Sequence, residues 1–140
     1  MNTYTFNEIP MGLTCRFEKQ ITVDMENAFR EITGDENPLH KDDGFAGAAG
    51  RGFPSHVAFG MLTASLYSTL CGMYLPGKYS LIHSIELEFL KPVFAGETLT
   101  VEGTVADKQD GLKLIFLKAR ITNQNSICVS KANIKVLVLQ

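Results

Sequence analysis

Residues 57–77 read VAFGMLTASLYSTLCGMYLPG and contain no charged side chain. That length would suit a membrane-spanning helix, but Thr63, Ser65, Ser68 and Thr69 interrupt the apolar run. An apolar stretch that is interrupted in this way is more typical of a helix in the core of a globular domain. We therefore predict one long helix that is buried on all sides, and no association with a membrane.

Strand patterns follow the predicted helix. Apolar and polar residues alternate in the segments 79–93, 98–106, 112–122 and 127–137, which is the period of a β-strand with one face in the core. Asp110-Gly111 is a turn signal, and the polar residues 123–125 separate the last two segments. The sequence predicts a single α+β domain over residues 1–140, in which an antiparallel meander wraps the helix.

Composition excludes several classes of function. The chain has 140 residues and a formal net charge of −2 with no basic block, so a nucleic-acid partner is not expected. Its three cysteines are far apart in the sequence, which favours reduced thiols in the cytoplasm over disulfides or a metal site. Residues 1–10 lack the charge pattern of a signal peptide. We expect a cytoplasmic protein without a cofactor or metal.

The segment Gly34-Asp35-Glu36-Asn37-Pro38-Leu39-His40 carries the candidate chemistry. Residues 24–33 have helical spacing, which places Gly34 at the end of a helix and Asp35 at the start of a stiff turn. If this turn folds back, Asp35 and His40 can share one substrate as a proton-transfer pair. The alternative is that Asp35 caps the turn and His40 is a surface histidine.

A wider set of segments matches one known family. These are residues 34–40, residues 60–68 (GMLTASLYS), residues 75–78 (LPGK) and residues 87–97 (LEFLKPVFAGE). Together they resemble the MaoC-like (R)-specific enoyl-CoA hydratases, also called type 2 hydratases, which have the hot-dog fold. The resemblance implies an antiparallel sheet wrapped around a central helix, a homodimer or higher homo-oligomer with active sites near its interface, and acyl thioester substrates carried on CoA or an acyl carrier protein.

The same resemblance implies roles for individual residues. Asp35 and His40 would be the hydratase dyad that holds and activates a water molecule, and Asn37 would support their loop. The Gly60 N–H would polarise the thioester carbonyl, and Ser68 would lie near the same site. Asn37 and Ser68 are thus predicted on the substrate-binding side of the site.

Gly60 can serve this role only under one structural condition. N–H groups are free of intrahelical partners only in the first turn, so the helix must begin no earlier than about Val57. There the helix dipole would favour developing negative charge, and the missing side chain would allow close approach of the thioester. The alternative is that Gly60 serves close packing of the helix.

The chain departs from the family pattern at Phe59, which stands where most relatives have histidine immediately before the glycine. Phenylalanine cannot make the hydrogen bonds of histidine, so Phe59 is predicted to contact the substrate without the polar contact that the family histidine supplies. His56 is the candidate to supply that polar contact instead. His83 falls on the apolar face of its predicted strand, where a buried hydrogen bond or a ligand contact is expected.

Other questions stay open at this level. Arg51, Lys78 and Lys91 are candidate basic contacts for a carrier, and neither the carrier nor the acyl-chain length is determined. A hot-dog thioesterase is an alternative, although its usual acidic residue is absent from residues 57–77. A catalytically inactive acyl-binding relative is another, because function depends on the site and not on the fold.

Overall fold

The computed structural model describes residues 1–140 and contains a five-stranded sheet and three α-helices. In chain order the elements are β1 (Thr14–Gln20), α1 (Val23–Thr33), α2 (Asp43–Ala48), α3 (Gly60–Thr69), β2 (Ser80–Phe89), β3 (Thr98–Gln109), β4 (Leu114–Thr122) and β5 (Cys128–Val138). The residues after α3 continue it as a π-helical turn, Leu70–Tyr74. The predicted α+β class is confirmed.

The strands are all antiparallel and lie in the order β1-β3-β4-β5-β2. Strands β3, β4 and β5 form the predicted meander, but β2 pairs with β5 at the far edge instead of with β3. The prediction of one continuous meander is therefore wrong. The segment between β2 and β3 leaves the sheet at Lys91-Pro92. Its Val93 carbonyl accepts from the N–H of Ala58, just before α3 (2.8 Å). Because β4 and β5 lie between β2 and β3 in the sheet, this segment must cross both strands.

The core lies between the sheet and α3. Tyr67, Leu70 and Cys71 of the helix are fully buried together with Ile121 and Ile134 of the sheet. The Tyr67 hydroxyl bonds to the Ser130 Oγ (2.9 Å), and burial raises the pKa of Tyr67 to about 12. The sheet thus wraps the helix as the apolar pattern predicted.

One face of α3 is uncovered, which corrects the prediction of burial on all sides. Met61, Ser65, Ser68 and Met73 are exposed, because the sheet covers only the opposite face of the helix. None of the helices combines the length and the apolar character that a membrane span requires.

Strand β2 is more exposed than its alternating pattern indicated. Leu81, Ile85 and Phe89 are between 41% and 52% exposed, since β2 is an edge strand and little of the chain packs against it. His83 is exposed at the bulge between Ile82 and Ser84 and makes no hydrogen bond. The buried hydrogen bond expected for His83 is therefore not formed.

The N-terminal part contains both confirmed and unpredicted elements. Helix α1 ends at Gly34, whose left-handed backbone (φ 72°) donates the cap bond to the Arg30 carbonyl, as predicted. Strand β1 and the short helix α2 were not predicted. β1 has only two apolar residues, Cys15 and Phe17, and is an edge strand that pairs only with β3. α2 is a six-residue helix that is too short to show a clear periodicity.

Candidate active site

Helix α3 begins at Gly60, which meets the condition set by the sequence. Phe59 is the N-cap with non-helical backbone angles (φ −57°, ψ 123°), and the first intrahelical bond runs from the Thr63 N–H to the Phe59 carbonyl (3.2 Å). The Gly60 N–H lies in the first turn and donates to no carbonyl. It is therefore a free donor at the positive end of the helix dipole.

His40 is held in a defined tautomer beside this helix end. Its Nδ1 lies 2.7 Å from the Val57 carbonyl oxygen. Because a carbonyl only accepts, Nδ1 must carry the proton, which leaves the Nε2 lone pair free to accept a second one. The Phe59 ring packs on the imidazole, with centroids 4.4 Å apart, and Arg30 donates to the His40 carbonyl (3.1 Å). The ring is therefore held by two contacts, and the Arg30 bond holds the backbone of the same residue.

The turn before His40 is held by hydrogen bonds from backbone N–H groups to side-chain oxygens two residues earlier. Asp35 Oδ1 accepts from the Asn37 N–H (3.0 Å), and Asn37 Oδ1 accepts from the Leu39 N–H (3.0 Å). The Asn37 bond caps a 3₁₀ turn over Pro38–His40. Asp35 is exposed and forms neither a hydrogen bond nor an ion pair with His40.

A cavity of about 460 Å³ joins His40 to the start of α3. Gly60 and Thr63 lie on its helix side, and Arg51 and Lys91 are its charged residues. The remaining lining is mostly apolar and comes from residues 53, 57, 58, 89, 90, 92, 93 and 129. No Asp or Glu lines the cavity, so its charge is positive. This arrangement can hold a carbonyl compound near a hydrogen-bond donor and an imidazole, with an anionic group at the basic residues.

Residues 6–126 match the MaoC like domain family. The chain belongs to the MaoC-like family. It is 36% identical over 116 residues to an (R)-specific enoyl-CoA hydratase of Aeromonas caviae, an alignment that covers 83% of this chain and 85% of that one. It is 37% identical over 102 residues to a 3-hydroxybutyryl-CoA dehydratase of Methylorubrum extorquens, covering 73% of this chain and 64% of that protein.

Solved structures agree with this membership. The Aeromonas caviae (R)-hydratase involved in PHA biosynthesis superposes with a TM-score of 0.87 at 32% identity, covering 93% of this chain and 97% of that one. The unliganded R-hydratase PhaJ1 of Pseudomonas aeruginosa gives a TM-score of 0.87 at 26% identity, covering 96% and 84%. The predicted hot-dog fold and the predicted class of enzyme, a hydro-lyase of the MaoC-like family, are confirmed.

The cavity of this MaoC-like chain contains some of the predicted site residues and not others. His40 and Gly60 line it, and so do the candidate basic residues Arg51 and Lys91. Asp35, Asn37 and Ser68 are exposed outside the lining of the single chain. Lys78 also lies outside it, with its Nζ 5.5 Å from the centre of the Tyr79 ring.

Neither Phe59 nor His56 lines the cavity, although both were predicted near the substrate. Phe59 is buried behind His40 against Phe29 and does not line the cavity. The two ring nitrogens of His56 are bonded to Glu26 and Asp43, so His56 does not replace the polar group missing at Phe59.

Thr63 and Phe89 are cavity residues that the sequence analysis missed. Thr63 is only 2% exposed and its hydroxyl has no hydrogen-bond partner, which is rare for a buried polar group. No local signal distinguished Thr63 from the exposed Ser65 and Ser68 of the same helix. The Phe89 ring comes within 3.2 to 3.4 Å of the place where a Gly60 Cβ would lie, so Gly60 also serves close packing.

A larger cleft of about 540 Å³ lies on the outer face of the sheet. Lys118, Lys135, Glu86 and Asp107 line it, and each of these side chains points to solvent on a face with charges of both signs. It contains neither an oriented imidazole nor a free helix N-terminus. The smaller cavity beside α3 is therefore the candidate active site.

Proposed function

We propose that the protein is an (R)-specific hydratase that interconverts trans-2-enoyl thioesters and (R)-3-hydroxyacyl thioesters. The observation that carries the proposal is the shared cavity of His40 and Gly60, which places an imidazole with a free Nε2 beside an unpaired helix N–H. Membership of a family whose relatives include an (R)-specific enoyl-CoA hydratase supports the same reaction.

The reaction needs three kinds of group. The oxygen of water attacks C3, a base takes one water proton, an acid delivers a proton to C2, and a donor stabilises the negative charge that develops on the thioester oxygen. Asp35 and His40 are assigned the proton transfers, which typically contribute about 10²- to 10⁴-fold each. The Gly60 N–H is assigned the oxygen, where a single donor is typically worth about 2.7 to 4 kcal/mol.

The basic residues of the cavity support a phosphate-bearing carrier. Arg51 and Lys91 line the same cavity as His40, and no carboxylate there competes for them. The phosphopantetheine arm of CoA or of an acyl carrier protein bears such a phosphate. We assign Arg51 and Lys91 to its recognition, because guanidinium and ammonium groups bind phosphate oxygens through charge-assisted hydrogen bonds.

A matched pair of substrates tests this assignment. Arg51→Gln and Lys91→Gln should lower kcat/KM for crotonyl-CoA, whereas crotonyl-N-acetylcysteamine, which has no phosphate, should be affected much less. Equal losses on the two substrates would show that these residues do not recognise the carrier.

We further propose that the active form is a homodimer built on β2. The exposed apolar side chains of β2 and the uncovered face of α3 need cover, and an unpaired edge strand is a template for pairing with a second chain. Phe89 and Leu90, at the end of β2, line the cavity. A second copy at this edge would therefore enclose the site, which in the single chain leaves Asp35 in solvent.

Loss of the conjugated enoyl absorbance of crotonyl-CoA tests the activity directly. We expect turnover by the wild type that Asp35→Asn and His40→Ala reduce by at least about 100-fold. Asp110→Asn, in the turn between β3 and β4, is the matched control and should retain wild-type turnover. Thioester cleavage with an intact double bond would indicate a thioesterase, and no reaction over several chain lengths would refute the proposal.

A further inference from the structure

His56 lies between two carboxylates outside the cavity. Its Nε2 is 2.9 Å from Glu26 Oε2 and its Nδ1 is 2.7 Å from Asp43 Oδ1. The His56 backbone N–H also donates to Asp43 Oδ1 (2.8 Å). Because an ionised carboxylate only accepts hydrogen bonds, both ring nitrogens must carry protons. In its protonated form His56 is therefore an imidazolium that bridges two anions.

The bridge joins three parts of the chain. Glu26 is on α1 and is 1% exposed, Asp43 is the first residue of α2 and is largely in solvent, and His56 lies in the segment before α3. A buried carboxylate needs a charged partner, and Glu26 has only His56. Its second oxygen, Oε1, has no partner. Removing the imidazolium would leave Glu26 buried without a counter-charge.

A second chain of bonds connects His56 to His40. The residue after His56 is Val57, whose N–H donates to the Leu39 carbonyl (2.9 Å) and whose carbonyl accepts from His40 Nδ1 (2.7 Å). The position of the Val57 carbonyl therefore decides the orientation of the His40 ring. Two residues further on, Phe59 packs on that ring and caps α3 at Gly60.

We propose that His56 is a positioning residue of the active site: by bridging Glu26 and Asp43 it fixes the Val57 carbonyl that orients His40 and the chain that leads to Gly60. The bridge acts through backbone and never touches the substrate. The kinetic consequence rests on the proposed hydratase function, whereas the structural consequence for His40 does not.

Protonation of His56 links the bridge to pH. The hydrogen bond to Glu26 and, after it, the one to Asp43 raise the pKa of His56 above its usual value, against the opposing effect of burial. The charged groups that face the ring are Glu26 from α1 and Asp43 from α2. Since the folded-state pKa is raised, the bridge is complete below the ordinary pKa of histidine, as long as the two carboxylates are ionised, and is lost as the pH rises through the raised pKa.

Nuclear magnetic resonance of the imidazole groups tests the structural step without any substrate. The chain has three histidines, so a His83→Gln variant assigns the remaining signals to His40 and His56. We expect a slowly exchanging His40 Nδ1–H signal in the wild type and in His83→Gln, and its loss or a large shift in His56→Gln. An unchanged His40 signal in folded His56→Gln would overturn the proposal.

Asp43→Asn keeps the test valid even if His56→Gln fails to fold. Asparagine can still accept both hydrogen bonds but lacks the charge, so the fold should persist while His56 titrates at lower pH than in the wild type. The His40 signal should change over that same lower pH range. A His40 signal that is indifferent to the His56 titration would contradict the positioning role.

Kinetics supply the second arm of the test. A displacement of catalytic groups by about 1 Å can cost about 100-fold, so His56→Gln should lower kcat for crotonyl-CoA by about 10- to 100-fold with little change in KM. In Asp43→Asn the alkaline fall of kcat should begin at lower pH. Wild-type kcat and pH profile in both variants would overturn the proposal. An inactive wild type would refute only the proposed function, because the resonance experiment would still decide the role of His56.

Discussion

Replacement of Thr63 by valine should stabilise the free protein. The Thr63 hydroxyl is buried in the wall of the cavity and has no partner, and an unsatisfied buried polar group costs about 1 to 3 kcal/mol. Valine has nearly the same shape and is also β-branched, so neither packing nor the conformational preference of α3 should change much. The free energy of unfolding should rise by the relieved cost.

The size of the change in melting temperature follows from the length of the chain. Unfolding entropy is about 2.1 cal/mol/K per residue, so a chain of 140 residues changes its midpoint by about 3 °C per kcal/mol. Thr63→Val should therefore melt about 3 to 10 °C above the wild type. Calorimetry at equal protein concentrations measures this difference.

Thr69→Val is the matched control on the same helix. Thr69 is partly exposed, so water can satisfy its hydroxyl, and its replacement should change the free energy of unfolding by no more than about 0.5 kcal/mol. A Thr63→Val protein that melts below the wild type would mean that the hydroxyl is hydrogen-bonded in solution. The Thr63 hydroxyl would then stabilise the folded protein instead of destabilising it.

Further substitutions test the packing, the cavity and the edge strand. Tyr67→Phe leaves the Ser130 hydroxyl buried without its 2.9 Å partner, so the free energy of unfolding should fall by about 1 to 3 kcal/mol in denaturant titrations, whereas a neutral result would contradict the importance of this bond. Gly60→Ala places a methyl group 3.2 Å from the Phe89 ring, which is half exposed and can move. We therefore expect little loss of stability but a reduced kcat/KM for crotonyl-CoA. Unchanged kinetics would show that close approach of the thioester to Gly60 is not needed. Ile85→Lys on the β2 edge should shift the protein from dimer to monomer in sedimentation measurements, with the outer-face change Thr100→Lys on β3 as its control, and a dimer that persists would place the interface elsewhere.

Local patterns in the sequence predicted the elements but not their neighbours. The alternation in residues 98–106, 112–122 and 127–137 and the uncharged run at residues 57–77 each reflect the burial of a single element, and those elements were found. The pairing of β2 with β5 depends on the path of residues 90–97 through space. No local pattern encodes that path, so the meander was predicted incorrectly and the exposure of β2 was missed.

For the candidate site, too, the sequence predicted a local feature but not the contacts between distant residues. Gly34, Asn37 and Pro38 identified the stiff turn because that signal is short-range, whereas the role of Gly60 came from the family resemblance and not from a local pattern. The bond from His40 to Val57 and the bridge at His56 join residues 13 to 30 positions apart. Such contacts follow from the packing of α1, α2 and α3 around one another and could not be predicted from spacing alone.

The free edge of β2 also has a consequence for the newly made chain. In the single chain this ten-residue edge strand presents its outward-facing backbone groups without partners, beside exposed apolar side chains, to any extended peptide nearby. Only the alternating glutamates Glu86 and Glu88 oppose a wrong partner, by repelling a second acidic strand. The yield of native protein after refolding should therefore fall as the concentration of unfolded chains increases.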